Sequence, residues 1–120
     1  MAVEMESKLG KYYVSNEVIS VVAGISAMEV FGLIGMSSRN QFKDGIAELL
    51  RKDNLSKGVE VFTEGDKVTI DMYIIVSYGT KISEVAHNVQ QKVIYTLESI
   101  IGIKVSKVNV IVQGVRVTQV

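Results

Sequence analysis

Lys67-Val68-Thr69-Ile70-Asp71-Met72-Tyr73-Ile74-Ile75-Val76-Ser77 is the stretch on which the fold turns. Val68, Ile70, Met72, Ile74 and Val76 fall on every second position, and successive side chains of an extended chain point to opposite faces. The run predicts a strand with one continuous apolar face, while Thr69, Asp71, Tyr73, Ile75 and Ser77 make the other. A sheet built on it rests one face on a core and leaves the other largely open. Just before it, Val59 to Thr63 is a second alternating run, and the connecting Glu64-Gly65-Asp66 carries the glycine of a hairpin linker.

Composition agrees with a sheet. The 120 residues include 20 Val and 13 Ile against 6 Leu and 5 Ala, and Cβ-branched side chains suit a pleated, half-buried surface better than a helix. The length supports one domain, able to bury roughly two-thirds of its unfolded surface without metals or disulfides. The absence of Cys removes disulfides, thiolate nucleophiles and cysteine zinc sites, and a single His cannot make a two-His metal site. No cofactor or metal is therefore expected. Thirteen basic side chains balance thirteen acidic ones, which leaves no overall electrostatic footprint for nucleic acid or an anionic membrane. A mean hydropathy of +0.28 implies a generous core or apolar surface covered by a partner. No apolar run approaches the ~20 residues that cross a bilayer, and Met1 to Lys11 carries acidic residues, Glu4 and Glu6, where a signal peptide is basic. A cytoplasmic location without direct membrane insertion is expected.

Outward from the hairpin, residues 1–10 show no periodicity and predict a mobile arm, leaving 11–120 as the domain. Ser15 is a helix N-cap candidate, followed by Val18, Val21, Val22, Ile25 and Met28 as one apolar stripe to about Met28. Gly24 within that helix implies close packing on the sheet. Val30 to Met36 reads as a short strand. Ser38 and Gln41 form a capping box for a helix through Phe42, Ile46, Leu49 and Leu50 to about Arg51, and 52–58 is polar connection. From about Lys81 to Ile101, Ile82, Val85, Ala86, Val89, Val93, Leu97 and Ile100 line one helix face, and Gly102 is its stop. Val105 to Val117 is the last strand, with a bulge or bend at Gly114, where the alternation changes phase. The fold class is α+β: a small mixed sheet of about four strands with helices on one face, in the order α-β-α-β-β-α-β.

Few residues carry chemistry. Gly32-Leu33-Ile34-Gly35 has the spacing of a nucleic-acid-clamping loop, but Leu and Ile offer nothing to phosphates. His87 is the one imidazole, a side-chain type suited to acid–base work, yet no nucleophile stands at recognisable spacing from it. Asp71, with Thr69, Tyr73 and Ser77, makes a polar row on the outer strand face. No phosphate loop, nucleophile elbow or dinucleotide fingerprint is present. Phe62, Tyr73, Ile75 and Ile111 are instead expected to cluster on the outer sheet face as an interface.

Several fragments together point to a family. They are Gly10-x-Tyr12-x-Val14-Ser15-x-Glu17-Val18-Ile19, then Glu29-Val30-Phe31-Gly32-Leu33-Ile34-Gly35-Met36, then Asp44-Gly45-Ile46-Ala47-Glu48-Leu49-Leu50. Lys57-Gly58-Val59, Val76-Ser77-Tyr78-Gly79 and Ile82-x-Glu84-Val85-Ala86-x-x-Val89-Gln90 follow. The last is Gly102-x-x-Val105-x-x-Val108-Asn109-Val110-x-Val112-x-Gly114-Val115. In this order, over residues 10–117, the chain resembles the alkaline shock protein family, envelope stress response proteins of Gram-positive bacteria. The resemblance implies a protein without catalytic activity that self-associates and meets a membrane-anchored partner at the inner face of the membrane. It carries over no catalytic residue, and only Gly32, Gly35, Gly79, Gly102 and Gly114 as positions at turns or close packing. The expectation is a non-enzymatic homo-oligomeric scaffold in envelope stress, with no nucleic-acid partner. The competing reading is a small metabolite-binding or regulatory module beside a fatty-acid or dihydroxyacetone-type kinase, with Asp71, Tyr73 and His87 as its polar groups. RNA binding through Gly32 to Gly35 is a third.

Overall fold

Strand β5 (Lys67–Ser77) is the axis of the computed structural model, which describes residues 2–38 and 52–117. Strand β6 (Lys107–Arg116) runs parallel to it along one side. On the other side β4 (Val59–Glu64) and β3 (Leu33–Met36) pair antiparallel with its first and last parts. A parallel neighbour requires a crossover, and helix α2 (Ile82–Thr96) supplies it between β5 and β6. The mixed four-stranded sheet expected from the alternation is the sheet found. Val68, Ile70, Met72, Ile74 and Val76 all lie in the core, beneath α2 and helix α1 (Asn16–Met28).

The helix signals are specific in one case and misleading in another. Ser15 caps α1, its Oγ accepting the Val18 N–H at 3.2 Å. The buried residues of α1, however, are Ile19, Ser20, Ala23, Gly24, Ser26 and Ala27, and of the expected stripe Val22 and Met28 pack against the core only partly buried. Val18, Val21 and Ile25 are exposed. Small residues win the core side because they allow close approach: a Cβ on Gly24 would lie 3.1 Å from the Leu55 Cβ. That neighbour belongs to a 3-10 segment, Lys52–Gly58, so Gly24 packs against a connection rather than against the sheet.

The long helix keeps Val85, Val89, Val93 and Leu97 buried, then widens into a π turn over Leu97–Ile101. Gly102 ends it in the left-handed region, its N–H donating to the Leu97 carbonyl at 3.0 Å. The wider turn breaks the 3.6-residue repeat, and Ile100, expected on the apolar face, is exposed.

The N-terminal residues correct the expected arm. Strand β1 (Ala2–Ser7) pairs antiparallel with β2 (Gly10–Ser15) as a separate two-stranded hairpin. Val3, Met5 and Val14 pack against the core, and the Tyr12 hydroxyl donates to the Ile101 carbonyl at 3.1 Å. The chain order therefore opens β-β-α-β. The helix expected through Phe42 to Arg51, with Gln41 of its capping box, lies outside the described residues.

Candidate functional site

Strand register decides what becomes of the expected interface. Phe62 stands opposite Thr69, 48% exposed. Tyr73 stands opposite Ile111, and both are half-buried. Four strand positions, about 13 Å, separate the two groups, and Glu60, Asp71 and Asn109 lie in register between them. The Asn109 amide donates to the Asp71 carboxylate at 2.8 Å, so a polar band crosses the face between its apolar members.

Ile75 departs further from expectation. Its partners are Gly35 on β3 and Gly114 on β6, each beside a register shift. It is 0% exposed, so it offers no surface to another chain. Nearby, buried Ser37 donates its hydroxyl to the Gln113 side-chain oxygen at 2.8 Å and its N–H to the Tyr73 carbonyl at 2.9 Å. Phe62, Tyr73, Ile75 and Ile111 thus share a face without forming one accessible patch.

The chemical candidates are dispersed. His87 is exposed on α2 and lines a shallow groove of about 390 Å³ with Gln90, Gln91, Lys107 and Asn109. Asp71 reaches that side only through its bond to Asn109. At the Gly32 end of the clamp-like loop, Leu33 is buried and a Cβ on Gly32 would come within 2.8 Å of the Val85 Cγ2. That part of the loop is committed to packing. A cleft of about 630 Å³ lies between β1 and the β4–β5 turn, with Glu4, Asp66 and Lys104 on its walls. No group of three potential metal ligands occurs among the described residues.

An open apolar surface lies on the helical side. Val22 and Ile25 of α1 face Tyr95 and Ile100 across a groove of about 390 Å³. Ile25 is 51% exposed and Tyr95 69%. An ion pair from Lys92 to Glu29, at 3.1 Å, lies on its rim. Val18 and Val21 extend the apolar surface along α1. The signal for it was the second apolar arc of α1: Ile19, Ala23 and Ala27 recur at helical spacing beside the valines, and one helix cannot bury both arcs on one sheet.

A small α+β domain, with helices α1 and α2 on a mixed sheet and apolar side chains open on the helical side, is the class that fold and surfaces define. The chain belongs to the alkaline shock protein 23 family, described by a cell envelope-related function, over residues 4–117. It is 59% identical to the uncharacterized protein YloU of Bacillus subtilis, over 98% of each chain. The uncharacterized protein Spy1614 of Streptococcus pyogenes is 44% identical over 98% of this chain and 97% of its own. YqhY of Bacillus subtilis, also uncharacterized, is 37% identical over 92% and 81%. No solved structure matches. No helix among the described residues is long and apolar enough to cross a membrane.

Proposed function

We propose that the protein is a non-enzymatic scaffold of the cell envelope stress response, acting by association with copies of itself and with a membrane-anchored protein at the inner face of the membrane. The observation that carries this reading is the apolar surface of Val18, Val21, Ile25, Tyr95 and Ile100, left open on two packed helices. Contiguous apolar surface rimmed by polar groups is a mark of interaction sites. The family's cell envelope-related function supplies the setting.

Light scattering after size exclusion, over a hundredfold range of concentration, tests it. A mass above the 13.2 kDa of one chain is expected, falling when Ile25 and Tyr95 are both replaced by Ser. A monomer at every concentration overturns self-association.

A further inference from the structure

Strand β6 is the edge of the sheet, pairing only with β5 among the described strands. Proteins guard such edges with prolines, inward charges or short strands, because an unpaired ladder recruits another chain. This edge is ten residues long. Its charges sit at Lys107 and Arg116, and the stretch Val108-Asn109-Val110-Ile111-Val112-Gln113-Gly114-Val115 carries none. On the core side Val110 and Val112 pack against the core only half-buried, so the rim of the core lies open along the same edge.

We infer that β6 pairs antiparallel with β6 of a second copy about a two-fold axis through Val110, joining the two sheets into one. The inference rests on the self-association proposed above and adds a second surface to the helical groove. Register selects the axis. Opposed residues of an antiparallel pair share a face, so an axis between residues would set core-facing side chains against outer ones. An axis at Ile111 would set Val108 against Gly114, across the register shift between Ile74 and Ile75. An axis at Asn109 would set Val112 opposite Ser106, outside the strand. The Val110 axis places Val108 opposite the partner's Val112 and Val110 opposite its own copy, a ladder of β-branched pairs over the open core rim. On the outer face it sets Asn109 opposite the partner's Ile111 and Lys107 opposite the partner's Gln113. The regular part of the ladder ends at Val112, because Gln113 is the extra residue of the shift between Val112 and Gly114. The Gln90 amide, which donates to the Val108 carbonyl at 3.0 Å, lies at its outer end.

The chain has no Cys, so single introduced thiols report the register. Chains carrying Asn109→Cys and chains carrying Ile111→Cys are mixed and oxidised mildly, with Leu9→Cys, fully exposed at the β1–β2 turn, as the control. The expected result is a mixed disulfide dimer on the order of tenfold above the control, because pairing holds the thiols at high effective concentration. It should also exceed the dimer from either chain alone, and Val110→Cys should cross-link to itself. Circular dichroism on each variant confirms that the sheet is intact. Cross-linking at the control level, with light scattering still reporting an oligomer, overturns the β6 pairing and leaves self-association standing. A monomer by light scattering overturns both.

Discussion

Gly32 and Gly79 separate two costs that usually arrive together. Their φ angles are nearly equal, +96° and +97°, in a region that L side chains rarely adopt. A Cβ on Gly79 meets nothing within 4 Å, whereas on Gly32 it meets Val85 at 2.8 Å and Thr80 at 3.2 Å. Gly79→Ala should therefore cost only backbone strain, about 1–2 kcal/mol. Gly32→Ala should cost that plus a further ~1–3 kcal/mol of overpacking against α2. Urea unfolding at unchanged m measures both, and equal losses would show that Val85 yields freely. Tyr12→Phe is a gentler test of how the hairpin is held. It removes the hydroxyl bond to Ile101, a loss of ~0.5–1.5 kcal/mol, seen as faster hydrogen exchange in β1 and β2 before the sheet opens.

Helix α1 shows where periodicity misleads. Its valines recur at helical spacing and carry the hydropathy, so they read as the core face, but the sheet takes the arc of Ile19, Ala23 and Ala27. Small residues add little to an apolar pattern, yet they set how closely a helix can approach. The two readings predict opposite mutational costs. With Ile25 51% exposed, Ile25→Ser should change monomer stability by less than ~1 kcal/mol, as at most surface positions. Ala23→Leu, into a site with no exposure, should cost ~1–3 kcal/mol or more. Chemical denaturation of both variants decides it, and a costly Ile25→Ser would return the valine stripe to the core. The strands were more legible because a period of two leaves one choice of face, and the β4–β5 hairpin carries its turn in the local sequence. The β1–β2 hairpin was not legible: Val3 and Met5 alternate with Glu4 and Glu6 over too few residues, and their pairing depends on Val14 and Tyr12 across the turn.

At the scale of the whole molecule, the candidate interface was only partly legible. Alternation assigns Phe62, Tyr73, Ile75 and Ile111 to one face, but lateral neighbours depend on strand register. Register places Asp71 and Asn109 between Phe62 and Tyr73 and seats Ile75 between two glycines. The surfaces that remain, the α1–α2 groove and the β6 edge, are apolar, and the chain as a whole has zero formal net charge. Association driven by such surfaces has a distinct salt response. Exposed charge pairs are screened over about 10 Å at 0.1 M and about 3 Å at 1 M ionic strength, so a charge-driven oligomer dissociates as NaCl rises. Burial of apolar surface is not weakened by screening, and sulfate strengthens it. The oligomer mass by light scattering should hold between 0.1 and 1 M NaCl, and rise or hold in ammonium sulfate. Dissociation at 1 M NaCl would move the contact to charged residues such as Lys92 and Glu29, whose ion pair is exposed on the groove's rim.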